Sequence, residues 1–331
     1  MKAVLKACAL VAAPLLCVFG ALFVGLYPIS FTEVIGSLFP FLGIDVGSTA
    51  RVLVVTTRLP RALAAAAVGA ALSASGAAYQ GVFRNPLVNP GLLGVSSGAG
   101  FGAALAIVMA GGGFLVYPSA FAFGILAVAL SYWIARVYKQ TPTIMLILGG
   151  TIVSSVFAAL ISLMKYLADS DNQLPEIVFW LMGSLKSVGF EHFWALIPIG
   201  LGVALLLLYS WRIDVLAMGD KEARSLGLNV GADKAAVIGG ATLATAGAVC
   251  LAGVVGWVGL IMPHIGRMIV GSDNRRLIPA SMALGAAFLV VVDTASRSLI
   301  PSEIPLGILT ALIGAPFFVY LLKKTKGGNW Q

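Results

Sequence analysis

The sequence RIDVLAMGDKEARSLGLNVGAD, residues 212–233, is a polar island between two apolar runs that are each long enough to cross a membrane. Its part from Asp220 to Leu228 predicts one short amphipathic helix, in which Ala223 and Leu226 share an apolar face and Gly227 is placed to end the helix. The flanking spans would leave this helix in water at one face of the bilayer. A capped helix in that position indicates a contact with a soluble partner.

The composition places the rest of the chain in the membrane. Of the 331 residues, 60% are hydrophobic and 10% are charged, whereas soluble domains average about 25% charged residues. Apolar stretches of the length that a hydrocarbon core of about 30 Å requires recur along the whole chain. We predict an all-α, polytopic membrane protein, with residues 1–331 forming a single transmembrane domain. The ten predicted spans are 3–26, 60–82, 91–111, 114–137, 143–166, 192–211, 234–252, 256–271, 278–299 and 305–322.

The distribution of positive charge predicts the orientation. The chain carries 21 Lys and Arg against 13 Asp and Glu. With ten spans and a cytoplasmic N-terminus, fifteen of these cations fall inside and six outside, as the positive-inside rule requires. We therefore predict an inner-membrane protein with both termini in the cytoplasm, in contact with lipid and with no nucleic-acid partner. We expect the first span to be retained, because its apolar stretch exceeds that of an ordinary signal peptide.

The residues that usually carry chemistry give little indication of an enzyme. Cys8, Cys17 and Cys250 fall inside predicted spans, where they are expected to be packing residues. His192 and His264 stand at span ends and are interpreted as polar residues at an interface. No GxxxxGK[ST] phosphate loop occurs, so any ATP that drives this protein must bind to another chain. We predict no catalytic residues, no metal site and no cofactor.

Two other classes of membrane protein fit the sequence less well. An ion-coupled secondary transporter would use a relay of carboxylates within the membrane, but the only ionised pair expected there is Asp293 with Arg297, four residues apart on one helical face. A membrane-embedded enzyme would need a catalytic set at span depth, and the sequence has none. A permease driven by a separate motor is the interpretation that remains.

Two runs rich in proline and glycine interrupt the apolar pattern, namely NPLVNP at 85–90 and GVVGWVGLIMPH at 253–264. Proline stops helices, and asparagine can satisfy the backbone groups that are released nearby. Irregular backbone at membrane depth is tolerated where it is buried in protein or lines a wet cavity. We therefore predict that these two segments are moving parts of a gate.

Taken together, these motifs resemble FecCD-type permeases, the membrane subunits of ABC importers for iron-siderophores, haem, cobalamin and related chelates. The resemblance extends over about 260 residues in the same order and spacing. The segments that carry it are RLPR at 58–61, GAALSASG at 69–76, NPL at 85–87, LGVSSGA at 93–99, WLMGS at 180–184, ARSLG at 223–227, GWVGLIMPH at 256–264, DT at 293–294 and PLGILT at 305–310.

The resemblance implies a type II ABC importer permease that works as a homodimer. It also implies two separate ATP-binding subunits and a periplasmic or lipid-anchored substrate-binding protein. The site residues that it implies fall into three groups. They are Arg58, Arg61 and Arg297 for docking the binding protein, Asn85, Leu87, Thr141, Pro142 and Thr143 for the cytoplasmic gate, and Gly219, Asp220, Ala223, Arg224, Leu226 and Gly227 for coupling to the ATPase.

The cargo is not fixed by these motifs. An iron-siderophore is the first expectation, with cobalamin, haem or an oxyanion such as molybdate as alternatives. The outer segment 169–184 is expected to end in a short helix and is the first place to look for substrate selectivity.

Overall fold

The computed structural model describes residues 2–136 and 142–324, and within those ranges all regular structure is helical. A π-helical segment, Leu53–Arg58, leads directly into the first long helix. The α-helices are α1 (Lys2–Ala21), α2 (Phe31–Leu38), α3 (Ser48–Val52), α4 (Leu59–Val82), α5 (Val95–Ala110), α6 (Val116–Ala135), α7 (Thr143–Leu167), α8 (Gln173–Met182), α9 (Leu196–Leu208), α10 (Ser210–Met218), α11 (Asp220–Ser225), α12 (Val230–Ala252), α13 (Val258–Val270), α14 (Asn274–Leu299) and α15 (Leu306–Lys324).

Ten of these helices correspond to the ten predicted spans, and the all-α fold of a multi-pass membrane protein is confirmed. Six helical stretches of the described chain are long and apolar enough to cross a membrane by themselves. Four further apolar helices are shorter, namely Cys8–Ala21, Val95–Ala110, Val258–Val270 and Leu306–Tyr320. Two of the short ones, α5 and α13, start later than predicted because each follows an irregular segment that lies inside the bundle.

The centre of the bundle is formed by α4 and α12, the two helices whose apolar windows are most buried. Both are rich in Ala and Gly, with Ser in α4 and Thr in α12, and such small residues let helix backbones approach closely. A Cβ atom on Gly69 would lie 2.1 Å from the carbonyl oxygen of Gly285, and one on Gly76 would lie 1.8 Å from that of Gly259. These contacts press α14 and α13 directly against α4, so no larger residue fits at either position.

The two ends of the bundle carry different groups. The arginine end contains Arg58, Arg61 and Arg297, at the start of α4 and the end of α14. The α11 end contains α10 and α11, at the opposite ends of the long spans. Between them, the turn 253–257 joins α12 to α13 beside the start of α5. It lies level with the middle of α4, because Gly259 packs against the Leu72 carbonyl.

Candidate functional site

The arginine end is organised around Arg61, which is buried between two carboxylates. Its Nε lies 2.9 Å and 3.0 Å from the two Asp293 oxygens, and its Nη1 lies 2.9 Å from Glu303 Oε2. Arg297 Nε stands 3.9 Å from the second Asp293 oxygen, which matches the pairing predicted from their spacing. Glu303 lies in the loop after α14 at a positive φ of 56°. Its role in the cluster had no signal in the sequence.

The other two guanidiniums of this cluster bind backbone carbonyls at the end of α1. Arg58 donates to the Leu22 carbonyl at 2.7 Å and to the Tyr27 carbonyl at 2.5 Å. Arg297 donates to the Val24 carbonyl at 2.7 Å and to the carbonyl of the last residue of α1. One of these four carbonyls belongs to the last residue of α1, and the other three belong to the segment 22–27 that follows the helix. The cluster therefore fastens α1 to α4 and α14.

The three arginines that were predicted to dock a binding protein thus come together at one end of the bundle. Arg58 and Arg61 are buried, Arg297 is partly buried, and all three bond to acceptors of this chain. The acceptors of Arg58 had no signal in the sequence, because backbone carbonyls carry no residue signature. Three guanidiniums face two carboxylates, Asp293 and Glu303, so the cluster keeps one positive charge in excess.

At the opposite end, α11 has the predicted cap but a narrower apolar face than expected. Ala223 is fully buried, whereas Leu226 is 57% exposed. Ala223 and Leu226 were predicted to share an apolar face of a helix that extends to Leu228, but α11 ends at Ser225 and Leu226 lies beyond it. Gly227 follows in the left-handed conformation with φ of 84°, and the Leu228 N–H returns to the Ala223 carbonyl at 3.0 Å. The helix therefore buries one alanine and is closed by its C-terminal cap.

Two ion pairs join α10 and α11 to the first turn of α12. Lys234, which is 1% exposed, places Nζ 2.8 Å from Asp220 Oδ2 at the start of α11. Its neighbour Asp233 pairs with Arg212 of α10. Asp233 and Lys234, neighbours on α12, therefore fasten α10 and α11 to a central helix of the bundle.

A third link fastens α10 to the start of α14. Asp214 Oδ1 accepts hydrogen bonds from the Asn274 backbone N–H at 2.9 Å and from its side-chain amide at 2.6 Å. Burial raises the pKa of the Asp214 carboxyl above its ordinary value, although both hydrogen bonds oppose that shift. The α10–α11 unit is thus attached to two separate spans.

The predicted gate turn lies at this same end. Asn85 Oδ1 accepts a hydrogen bond from the Leu87 N–H at 2.9 Å, which closes the turn around Pro86. The Leu87 side chain is 50% exposed in the single chain. Just before the turn, Arg84 has a positive φ of 51°, which is uncommon for a residue other than glycine. The turn therefore presents an apolar side chain on a constrained backbone.

A groove of about 630 Å³ separates α11 from the gate residues at the start of α7. One wall is formed by Pro142, Thr143 and Arg84, and the other by residues 219–222. Thr141, the remaining predicted gate residue, lies outside the described residues. The structure thus places part of each predicted group on this groove, namely Pro142 and Thr143 of the gate and Gly219 and Asp220 of the ATPase contact.

A strained turn at mid-depth joins α12 to α13. Trp257 has φ of 68° and ψ of −35°, a conformation that costs a residue with a side chain about 1–3 kcal/mol. Its side chain packs on Gly314 and lies 6.3 Å from the Phe318 ring, both on α15. The turn falls in the run 253–264 that was predicted to move, and its strained residue contacts a neighbouring span.

The short helix α8 confirms the helix expected in the segment 169–184. It borders a cavity of about 470 Å³ that is also lined by Phe114, Tyr117 and His192. The His192 ring lies 4.4 Å from the Tyr117 ring. Within residues 2–136 and 142–324, no cluster of three or more His, Cys, Asp or Glu side chains is placed to hold a metal ion.

Comparison with known proteins settles the family. Residues 13–324 match the FecCD transport family over almost the whole chain. The chain belongs to this family. It is similar to the molybdate import system permease protein of Haemophilus influenzae, with 44% identity over 82% of this chain and 81% of that relative. The cobalamin import system permease protein of Halobacterium salinarum is 43% identical over 85% of this chain and 76% of its own length.

Other FecCD relatives carry different cargo names. The hemin transport system permease protein of Yersinia pestis is 36% identical over 81% of this chain and 82% of its own length. Among solved structures, an inward-facing metal-chelate type ABC transporter superimposes with a TM-score of 0.85 at 38% identity, covering 96% of this chain and 98% of that one. The FecCD chain is therefore an ABC importer permease, and the resemblance noted from its motifs is confirmed.

Proposed function

We propose that this permease imports a preformed metal complex, with an iron chelate as the first candidate and with cobalamin, haem or a molybdate-type oxyanion as alternatives. Separate ATPase subunits drive it and a substrate-binding protein supplies it, in the manner of an ABC importer. The observation that carries the proposal is the groove in which α11 faces the gate residues. The relatives and the solved neighbour, whose names include import systems for such cargo, support the same choice.

In this proposal the α11 end lies in the cytoplasm and the arginine end faces outward. The exposed side chains of α11, including Lys221 and Arg224, contact the ATPase, while Ala223 anchors the helix from behind. Closure of the ATPase subunits on ATP pushes α11, and the Lys234–Asp220 pair passes that movement to α12. The permease is then a two-state element that is biased from both faces of the membrane.

The cargo passes this permease as an intact complex or ion. The described residues carry no cluster that could strip a metal from its chelate and hold it. Selectivity then comes mainly from the binding protein and from the segment 169–184 above the path. Reconstitution with the ATPase and the binding protein should give ATP-dependent uptake of one of four labelled cargoes, namely a ferric siderophore, cyanocobalamin, haem or molybdate. Uptake driven by an ion gradient without ATP would contradict the proposal and support a secondary transporter.

The gate is tested by a cross-link between two copies of the chain. If the turn at Asn85 closes the path on the two-fold axis of a homodimer, Cys residues at position 87 of both copies approach each other there. Leu87→Cys should cross-link between subunits, and the yield should change with nucleotide state. A cysteine at the exposed Leu208, at the end of α9, is the matched control and should not respond to nucleotide. An intact dimer without a cross-link in any state would place the constriction elsewhere.

Docking at the arginine end is proposed to depend on the positive charge that remains in the cluster. Arg58→Glu should abolish stimulation by the binding protein, but it also sets a carboxylate against two carbonyl oxygens. Arg51, which is exposed on α3 just before this end, offers a second variant that leaves those bonds intact. Arg51→Glu should weaken docking, and added salt should weaken docking of the unaltered protein over a screening length of about 8–10 Å. Docking that is unchanged in both variants would refute this role.

A further inference from the structure

A small recess opens beside the gate turn, level with the middle of α4. It has a volume of about 260 Å³. Asn89 and Gly256, at its mouth, are exposed in the single chain, whereas Leu72 and Thr245 form its buried floor. The recess lies between the two irregular segments that interrupt the membrane helices. The remaining lining residues are Pro90, Gly91, Ser96, Val254, Val255, Trp257 and Gly259.

Two membrane helices begin at the wall of this recess. Ser96 is the second residue of α5, a helix of 16 residues, and Gly259 is the second residue of α13, a helix of 13 residues. The first N–H groups of a helix have no carbonyl partner within the helix, and its N-terminus carries about half a positive charge. Helices that start within the membrane point such N-termini at anionic groups of transported substrates. The recess therefore has positive potential without containing a cation.

The described side chains that line the recess supply hydrogen-bond donors, and none of them is a carboxylate. Thr245 is 1% exposed, and its Oγ1 has no hydrogen-bond partner among the described residues. Asn89 Oδ1 accepts from the Gly91 N–H at 2.8 Å, which leaves the amide NH₂ of Asn89 as a donor. Ser96 adds a second hydroxyl. No Asp or Glu occurs among the described residues that line the recess, so no carboxylate there repels an anion.

The size of the recess limits what it can hold. Its volume corresponds to about nine water molecules at about 30 Å³ each, and it lies below the range of about 300–1,000 Å³ of pockets for drug-sized ligands. A whole siderophore or haem does not fit. A tetrahedral oxyanion fits with part of its hydration, and so does one carboxylate of a larger chelate.

We infer that the recess binds an anionic oxygen group of the cargo as it passes the gate. This group is either an entire tetrahedral oxyanion or one carboxylate of a chelate, and the same donors serve both. The inference rests on the proposed function, because it assigns the recess to cargo in transit. It adds Asn89, Ser96 and Thr245 to the residues that recognise cargo, together with the N-termini of α5 and α13.

The first test replaces the hydroxyls without changing shape. Thr245→Val combined with Ser96→Ala should slow ATP-dependent uptake by roughly tenfold, the loss expected when hydrogen bonds to a charged group are removed. The matched control is Thr242→Val, less than one turn away on α12, whose hydroxyl donates to the Ile238 carbonyl at 2.7 Å instead of lining the recess. Slowing of molybdate uptake alone identifies the oxyanion, and slowing of a carboxylate-bearing ferric siderophore identifies the carboxylate. Equal uptake by the double variant and the control would overturn the inference.

The second test does not depend on transport. Crystals of the assembled importer soaked in tungstate should show an anomalous peak in the recess, within hydrogen-bond distance of Thr245 Oγ1. The peak should disappear in Thr245→Val, Ser96→Ala and remain in Thr242→Val. No peak in the unaltered importer, or a peak that survives the double substitution and is thus an adventitious ion only, would refute the site. If the importer transports none of the tested cargoes, the proposed function fails, whereas the tungstate peak still decides the recess.

Discussion

The buried pair between Lys234 and Asp220 predicts an asymmetric response to mutation. The two partners differ in burial, with the lysine side chain 1% exposed and the aspartate 34% exposed. Asp220→Asn leaves an ammonium group without a counter-charge in a site that water does not reach. Lys234→Met removes the buried charge. It leaves the Asp220 carboxylate, which is about one-third exposed and can be hydrated by water. We therefore expect the aspartate variant to be the more damaging of the two.

The structure sets the size of this difference. Breaking a buried pair by removing one partner costs about 3–5 kcal/mol when the other charge stays buried. For Lys234→Met the loss is that of one hydrogen bond, about 1 kcal/mol, because the remaining carboxylate can be solvated and a methionine side chain fills the same space. The two variants should thus differ by at least about 2 kcal/mol in the local free energy of opening, which is a factor of about 30 in the equilibrium.

Backbone hydrogen exchange of the complete permease in lipid nanodiscs measures this opening. The reporting amides are those of α11 and its cap, such as Ala223 N–H, which bonds to the Gly219 carbonyl at 2.9 Å, and Leu228 N–H. Protection there should fall about 100-fold or more in Asp220→Asn and about tenfold or less in Lys234→Met. Lys221→Met, an exposed change on the same helix, is the control and should leave protection unaltered. Equal losses in both variants, or a larger loss in Lys234→Met, would refute the reasoning.

Three further changes test the packing and the caps. Gly227 has a φ of 84°, and a Cβ added there would meet no atom within 4 Å. Gly227→Ala should therefore lower the stability of α11 by about 1–2 kcal/mol through backbone strain alone, and it should weaken ATPase binding. Gly231→Ala, in the first turn of α12, is the control and should be neutral or mildly stabilising. Gly76→Ala would place a methyl group 1.8 Å from a carbonyl oxygen of α13, so the melting temperature in detergent should fall markedly. An unchanged melting temperature would contradict the close approach of α4 and α13. Arg61→Met leaves Asp293 buried without its main partner and should destabilise the protein by about 3–5 kcal/mol. Adding Asp293→Leu should recover most of that stability. If the melting temperature does not recover in the double variant, the unpaired Asp293 is not the cause of the loss.

Hydropathy predicted the spans because lipid imposes one length on every helix that crosses it. The seventh span was predicted at 234–252, and α12 occupies Val230–Ala252. One error lies at the end of the first span, which was predicted to reach residue 26 whereas α1 ends at Ala21. Another lies where a helix starts inside the bundle. The segment 91–94 was assigned to a span, but α5 begins only at Val95, after a turn in which Asn89 binds the Gly91 N–H. Short polar contacts of this kind do not change the mean hydropathy, so the length and composition of a segment do not reveal where its helix begins.

The candidate site was predictable where a single residue type determines the geometry. Gly227 was expected to end α11, and it does so in a conformation that glycine favours. Lys234, by contrast, was counted only as an inside cation, because its burial depends on a partner 14 positions earlier that no local pattern marks. The polar recess was likewise invisible, since its donors come from three separate segments, at 89–96, 245 and 259.

The bonds that hold the end of α1 have a consequence for the order in which the protein is made. Arg58 follows its Leu22 acceptor by 36 positions, so this bond can form soon after the first helices enter the bilayer. Arg297 binds carbonyls of α1 that were synthesised more than 270 positions earlier. Until the ribosome has made α14, those carbonyls lack these donors and must bind water at the end of the bundle. The newly made chain therefore completes the attachment of its first helix only after α14 has been synthesised.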